Sequence, residues 1–186
     1  MTGAGQAMDC PAAGYRPRAR PAVTRMAASV ALAFAAACVA PSPAVGGADC
    51  RVARVVDGDT LVCEGGVRVR LLLIDAPELS QGPWGAVAKA LLEQLASPGT
   101  LVTVEEDVQQ RDRYGRLLAY LYLPDGRMVN EELLRAGVAV VSVHPPNIRH
   151  VERLRAAADS ARAGGAGLWS TAAFECEPAD HRAGRC

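Results

Sequence analysis

The sequence predicts an α+β, β-rich fold in which a small closed barrel of five strands carries about three attached helices. Five short apolar segments are joined mostly by hairpin-length connections, which suit antiparallel pairing, because parallel neighbours need crossovers of a dozen or more residues. Segments with helical spacing follow the third and the fifth of them. With 186 residues, 50% of them hydrophobic, the chain is long enough for about one domain with its own core.

The first three predicted strands lie close together in the sequence. They cover residues 50–56, 60–63 and 67–74. Gly65 and Gly66 separate the second strand from the third. If these glycines form a two-residue turn, Asp75 falls opposite Val56 and near Asp59. This register predicts that the carboxylates of Asp59 and Asp75 meet at one end of the sheet.

The later elements alternate between helices and strands. The predicted strands are residues 101–104 and 117–123, and the predicted helices are residues 84–95, 130–136 and 147–162. A charged loop, residues 107–116, joins the two strands. Asn130 is the expected cap of the second helix, and Gly137 is its expected stop. A closed barrel of the OB type fits this order, and closure explains why residues 71–74 are apolar on both faces.

The N-terminal residues 1–48 read as an export segment. Basic residues precede the apolar run 26–40, and small residues with prolines follow it, as in a signal peptide. An Ala/Pro-rich extension and a lipid anchor at Cys38 remain as alternatives. The predicted organisation is an export segment, a domain over residues 49–171 and a polar tail over residues 172–186. The expected location is secreted or periplasmic.

Four cysteines follow the export segment, and an even number in an exported chain favours disulfides. Sequence order pairs Cys50 with Cys63 and Cys176 with Cys186. The alternative is a zinc site made by Cys176, His181 and Cys186, although the closely spaced ligand pair typical of zinc sites is lacking.

The charge of the chain beyond residue 48 is close to neutral. The first 48 residues hold four of the 20 basic and one of the 20 acidic side chains, which leaves 16 positive against 19 negative charges. Nucleic-acid-binding proteins usually carry a basic surface. Binding to nucleic acid must therefore depend on a local cluster of arginines, which suit bidentate phosphate contacts.

Two stretches place acidic residues within apolar, strand-like sequence, at Asp59 and at Asp75. Buried carboxylates are costly unless they are paired, hydrogen-bonded or metal-bound. Neither stretch contains His or Cys, and an all-oxygen site favours Ca²⁺ or Mg²⁺. Asp57 is interpreted as a turn former, because Asp-Gly is a strong turn signal. Simple alternation puts Arg70 and Asp75 on opposite faces of a strand, so a shared site requires a bend near Ile74.

Three motifs in order resemble those of the thermonuclease family, the micrococcal-type nucleases on an OB-fold. They are VVDGDT ending at Thr60, RLLLIDAPE from Arg70 to Glu78, and DRYGR from Asp112 to Arg116. DGRMVNEELLRAG, HPPN and GLWS follow in the expected order. The similarity runs from about residue 50 to residue 170. It implies a calcium-dependent, monomeric endonuclease that hydrolyses DNA and RNA and leaves 3′-phosphates.

The resemblance also implies a role for particular residues. The implied Ca²⁺ ligands are Asp59, Asp75 and the main-chain carbonyl of Ala76. The implied catalytic residues are Glu78, as general base or as the group that positions the attacking water, and Arg70 and Arg116 as phosphate contacts. The expected substrate contacts are Arg113, Tyr114 and His144. A cation and two guanidinium groups can stabilise the charge that an in-line attack builds on a phosphodiester.

Three features differ from the family pattern, and one of them is the slightly acidic charge of the chain beyond residue 48. Ser142 and His144 stand where the family often has tyrosines, and the loop after Glu78, residues 79–83, is short. The alternative function is a non-catalytic module on the same fold that binds nucleic acid or a protein. An enzyme is favoured because all five ionisable side chains expected at the site are present: Asp59, Arg70, Asp75, Glu78 and Arg116.

Overall fold

The computed structural model describes residues 48–186. The predicted export segment lies outside the described residues, apart from Ala48, which already begins the first strand. Within this part of the chain, none of the helices combines the length and the apolar character that crossing a membrane requires.

The strands form a closed five-stranded barrel and a separate two-stranded sheet. Their bounds are β1 (Ala48–Val55), β2 (Thr60–Cys63), β3 (Arg68–Leu71), β4 (Ile74–Asp75), β5 (Leu101–Arg111), β6 (Leu117–Tyr122) and β7 (Val140–Val141). The barrel order is β1-β2-β3-β6-β5, and β5 pairs back to β1. Only β3 and β6 run parallel among these barrel pairs of the described chain. The predicted fold class is confirmed.

Helices flank the barrel. Their bounds are α1 (Trp84–Leu95), α2 (Val129–Arg135), α3 (Val151–Ala163) and α4 (Pro178–Arg182), with a 3₁₀ helix at Gly167–Ser170. The prediction for α1 is confirmed at both ends. The predicted third helix starts too early, because residues 147–150 form a loop before α3. The tail, expected only as a polar segment, contains α4.

One apolar core joins the barrel interior to the helices. Leu61, Val69 and Leu121 of the barrel are fully buried, as are Leu92 of α1 and Leu133 of α2. Full burial of such a side chain contributes about 1.5–3 kcal/mol. The barrel end therefore gives the residues around it a firm support.

The hairpin between β2 and β3 has a different register from the predicted one. Thr60 pairs with Arg70 and Val62 with Arg68, and the amide of Cys63 donates to the carbonyl of Val67. Three residues, Glu64 to Gly66, therefore form the connection, and both glycines adopt positive φ angles. The prediction was wrong by one residue, because a two-residue turn was assumed.

The third predicted strand is divided by a sharp turn after Leu71. Leu73 adopts a φ of 61°, which is uncommon for a residue other than glycine. The chain then forms β4, which leaves the barrel and pairs with β7. This turn is the bend near Ile74 that a site shared by Arg70 and Asp75 requires.

Two further predictions are corrected. β5 continues to Arg111, so much of the predicted loop 107–116 is strand; charge alone did not distinguish an exposed strand from a loop. Asn130 is not a helix cap, since α2 begins at Val129 after Met128. Asn130 is instead fully buried, and its side chain bonds the backbone of Leu121 and Leu72.

Both predicted disulfides are present, Cys50–Cys63 and Cys176–Cys186. The first crosslinks β1 to β2, and the second encloses α4. Because the second disulfide uses both cysteines that the zinc alternative requires, that alternative is wrong for this state of the protein.

Candidate functional site

A cavity of about 560 Å³ lies beside the turn between β3 and β4. Eight of the nine residues predicted for metal binding, catalysis or substrate contact line it: Asp59, Arg70, Ala76, Glu78, Arg113, Tyr114, Arg116 and His144. The ninth, Asp75, is only 1% exposed and contacts Arg70 and Arg182, which line the cavity. The fold therefore brings the whole predicted set together.

The carboxylates of Asp59 and Asp75 are neighbours, although sixteen residues separate them. One nitrogen of Arg70, Nη2, lies 3.0 Å from Oδ2 of Asp59 and 3.1 Å from Oδ1 of Asp75. The amide of Ala76 donates to Oδ2 of Asp59 at 3.0 Å. The amide of Asp59 donates to Oδ1 of Asp57, which agrees with the interpretation of Asp57 as a turn former.

Gly58 allows the turn that carries Asp59 to approach Ala76. A Cβ atom at position 58 would lie 2.6 Å from the Cβ atoms of both Ala76 and Ala88, closer than side-chain carbons pack in proteins. A glycine is therefore required for this approach, and the approach produces the hydrogen bond between Ala76 and Asp59.

Burial makes Asp59 hard to ionise. Desolvation raises the pKa of Asp59 to about 6, while the guanidinium of Arg70 acts in the opposite direction. Asp57 and Asp75 add like-charge repulsion, which also raises this pKa. The positive charge of Arg70 therefore does not fully offset the cost of ionising Asp59.

Arg70 is a fixed part of the site. Its Nη1 donates to the carbonyl of Leu71 at 2.6 Å and to that of Ile74 at 2.9 Å. These bonds close the turn around Leu73, and the same guanidinium then holds Asp59 and Asp75. The side chain is 17% exposed. Arg70 thus ties the turn to both carboxylates.

Glu78 lies at the cavity edge, 36% exposed. Its amide donates to Oε1 of Gln81 at 2.8 Å, which fixes the backbone of the short loop after it. Gly85 in α1 packs against the Glu78 carbonyl so closely that a Cβ there would overlap it. Glu78 is therefore held in place through its backbone.

Arg182, a residue that the sequence did not indicate, reaches into the site from α4. Its Nη2 lies 2.6 Å from Oδ2 of Asp75, and its Nη1 lies 3.1 Å from Oδ1 of Asp75 and 2.8 Å from Oε1 of Glu78. These hydrogen bonds, chiefly those with Asp75, raise the pKa of Arg182. An arginine in a short polar tail gives no sequence signal for such a contact.

Arg116 approaches the cavity from the loop between β5 and β6. Its Nε donates to Oδ2 of Asp112 at 2.7 Å. Burial opposes ionisation of Asp112, but its hydrogen bonds from Arg116 outweigh this and lower its pKa. The ring of Tyr114 lies under the guanidinium groups of Arg113 and Arg116. The DRYGR motif thus forms one small cationic and aromatic surface.

The HPPN segment, residues 144–147, forms another part of the cavity wall. Asn147 is buried and exchanges two hydrogen bonds with the backbone of Gln109 in β5, at 2.7 and 2.8 Å. His144 shares a hydrogen bond with Ser142. The extended part of β5 therefore positions His144 beside the cavity.

The residues present fit a hard cation. Asp59 and Asp75 offer buried oxygen atoms, and the raised pKa of Asp59 shows that added positive charge there is favourable. Among residues 48–186 there is no group of three or more His, Cys, Asp or Glu side chains arranged to hold a metal ion. A cation bound here would need main-chain or water oxygens as well.

Comparison with known proteins agrees with the class that the barrel and this site define, the OB-fold nucleases. The model of the family "Staphylococcal nuclease homologue" matches residues 68–171. Because this match covers more than half of the chain, the protein belongs to the staphylococcal nuclease family. The resemblance found in the sequence motifs is confirmed.

Named relatives are endonucleases. Endonuclease YncB of Bacillus subtilis is 35% identical over 130 residues, which are 65% of this chain and 61% of the relative. The SPbeta prophage-derived endonuclease YokF of the same organism is 37% identical over 131 residues, 66% of this chain and 44% of the relative. The thermonuclease of Staphylococcus hyicus is 32% identical over 128 residues, 64% of this chain and 75% of the relative. The match thus covers about half the length of the first two relatives.

Proposed function

We propose that this protein is an exported, calcium-dependent endonuclease that hydrolyses phosphodiester bonds in DNA and RNA and leaves 3′-phosphates. The observation that carries the proposal is the pair of buried carboxylates, Asp59 and Asp75, beside a cavity that also receives Glu78 and Arg116. Membership in a nuclease family and relatives named endonucleases support it.

The cation would be held by Asp59, Asp75 and the carbonyl of Ala76. Bound there, it would supply Lewis-acid stabilisation of the negative charge that develops on the phosphate. The oxygen-only donor set suits Ca²⁺, and ionisation of Asp59 becomes easier when positive charge is added.

The chain's own residues supply the remaining chemistry. The carboxylate of Glu78, at the cavity edge, accepts the proton of the attacking water as general base when its ion pair with Arg182 is open. Arg116, oriented through Nε by Asp112, presents its guanidinium to the phosphate oxygens. Arg70 is proposed to contact the same phosphate once its carboxylate partners are otherwise neutralised. Arg113, Tyr114 and His144 would bind the substrate around the reacting group.

Export is supported by the two disulfides, which persist in oxidising compartments. The proposed organisation remains an export segment over residues 1–48, the nuclease domain over residues 49–171 and a tail over residues 172–186. The enzyme is proposed to act as a monomer, secreted or in the periplasm.

The test is a nuclease assay with the purified protein on single- and double-stranded DNA and on RNA. We expect cleavage with Ca²⁺, none with EDTA, and 3′-phosphate ends by mass spectrometry. Glu78→Gln should abolish most turnover, whereas Arg155→Ala, which removes an exposed ion pair to Glu152, should not. Intact substrate across several metals and pH values would contradict the proposal, and binding without cleavage would establish the non-catalytic alternative.

A further inference from the structure

The C-terminal loop closed by Cys176–Cys186 is seated against the site. Gln81 donates from Nε2 to the carbonyl of Cys176 at 3.2 Å, and Ser80 shares a hydrogen bond with His181. Both contacts use the short loop that follows Glu78. Pro178 is buried at the start of α4. The disulfide loop therefore has a defined docking position at the cavity.

From this position the guanidinium of Arg182 reaches two carboxylates that the proposed reaction uses, those of Asp75 and Glu78. Arg182 contacts both oxygens of Asp75 and also Oε1 of Glu78. In this arrangement both oxygens of Asp75 accept hydrogen bonds from Arg182. The carboxylate of Glu78 is paired with the same guanidinium and is therefore not available to a water molecule. A cation and Arg182 thus compete for the same ligand.

The two arginines at the carboxylates differ in how firmly they are held. Arg70 bonds two backbone carbonyls and is 17% exposed. Arg182 is 45% exposed and belongs to a helix of five residues. Its contacts in the site are ion pairs, which a divalent cation can replace. Of the two arginines, Arg182 is therefore the one that a cation can displace from the carboxylates.

We propose that the disulfide loop of residues 176–186 is an autoinhibitory element in which Arg182 occupies Asp75 and Glu78 and is displaced when the cation binds. The inference rests on the cation site of the proposed function. It makes the apparent cation affinity depend on the fraction of molecules in which the loop is open. A loop closed about nine-tenths of the time weakens the apparent affinity roughly tenfold.

The experiment measures Ca²⁺ binding by calorimetry, without nucleic acid, for the protein and three variants. Arg182→Gln removes the competing charge. Cys176→Ser with Cys186→Ser opens the tether and leaves Arg182 in the chain. Arg185→Gln makes the same charge change in the same loop, but Arg185 pairs with Asp180, so it serves as the matched control.

We expect Arg182→Gln to lower the Kd for Ca²⁺ about tenfold, the double serine variant to lower it by a smaller factor, and Arg185→Gln to leave it unchanged. Hydrogen exchange should also show that Ca²⁺ increases exchange in residues 176–186 of the unaltered protein. This second readout is independent of catalysis.

Three results would overturn the inference. If Arg182→Gln leaves the Kd unchanged and lowers kcat, Arg182 is a substrate contact, and the proposed nuclease function stands. If Arg185→Gln tightens binding equally, the effect is general electrostatics. If no form of the protein binds Ca²⁺, no competition exists; nuclease activity with another metal would then show whether the enzymatic proposal survives.

Discussion

Replacing Asp59 by Asn should stabilise the cation-free protein above pH 6, although it removes an ion pair. Burial raises the pKa of Asp59 from 3.8 to about 6, so ionisation costs the folded state more than the unfolded state. A pKa difference of one corresponds to about 1.36 kcal/mol. The rise to about 6 therefore lowers the free energy of unfolding at neutral pH by up to about 3 kcal/mol. Asn carries no charge and avoids this penalty.

The hydrogen bonds around Asp59 allow the substitution. An amide oxygen in the place of Oδ2 can still accept the hydrogen bond from the amide of Ala76 and lie beside the guanidinium of Arg70. The amide nitrogen then lies in the place of Oδ1, where the hydroxyl of Thr60 can turn from donor to acceptor. The change therefore removes the charge with little loss of hydrogen bonding.

The pH dependence has a definite sign. Below pH 3.8 the carboxyl is protonated in both folded and unfolded states, and the two proteins should be equally stable. As the pH rises towards 6, the unfolded state releases this proton first, so the natural protein loses stability relative to Asp59→Asn. Above pH 6 the difference should remain constant.

The assay is urea denaturation in EDTA between pH 4 and pH 8, followed by tryptophan fluorescence. Asp57→Asn is the matched control, because it makes the same charge change at a half-buried position and should alter the free energy of unfolding much less. Adding Ca²⁺ should reverse the order of Asp59→Asn and the natural protein. A less stable Asp59→Asn at pH 7.5 in EDTA would refute the reasoning.

Three further predictions concern the fold and Arg116, which is proposed to contact the phosphate. Asn130→Ala leaves a buried amide and a buried carbonyl without partners and should lower the free energy of unfolding by about 3 kcal/mol, measured by urea denaturation; a loss below about 1 kcal/mol would contradict this. Cys50→Ser with Cys63→Ser removes a crosslink across 13 residues and should cost about 3 kcal/mol by the loop-entropy relation, checked by the same method and compared with the variant that combines Cys176→Ser with Cys186→Ser. Arg116→Lys keeps the charge but loses the Nε bond to Asp112 that orients the side chain and the fork that could bind phosphate oxygens, and it should lower kcat at least about tenfold at unchanged stability; a normal kcat would remove Arg116 from the mechanism.

The sequence was sufficient for the barrel and for the grouping of the site because both depend on local signals. The apolar runs and the glycines place the strands, and Asp59, Asp75 and Arg116 lie in short motifs. Even so, the carboxylates meet for a different reason from the predicted one. The register was wrong by one residue, and it is the turn at Leu73 that redirects the chain to bring Asp75 beside Asp59.

Contacts between distant segments could not be predicted in this way. Asn147 bonds Gln109 across 38 residues, and Arg182 bonds Asp75 across 107 residues. Neither pair has a periodic pattern or a spacing rule, since the docking of whole segments determines them. The disulfide between Cys176 and Cys186 was predictable from cysteine count and order, but the surface on which its loop docks was not.

The energetics of Asp59 bear directly on its role. If this position served only the fold, an uncharged Asn could accept the same hydrogen bond from Ala76 without the cost of ionising a buried carboxyl. A purely structural role therefore leaves the choice of Asp unexplained. The proposed binding of a cation would explain it, because the charge that is costly to bury is the charge that attracts the ion. Arg182 fits the same proposal, since it places a positive group on the carboxylate of Asp75 that a cation would otherwise contact.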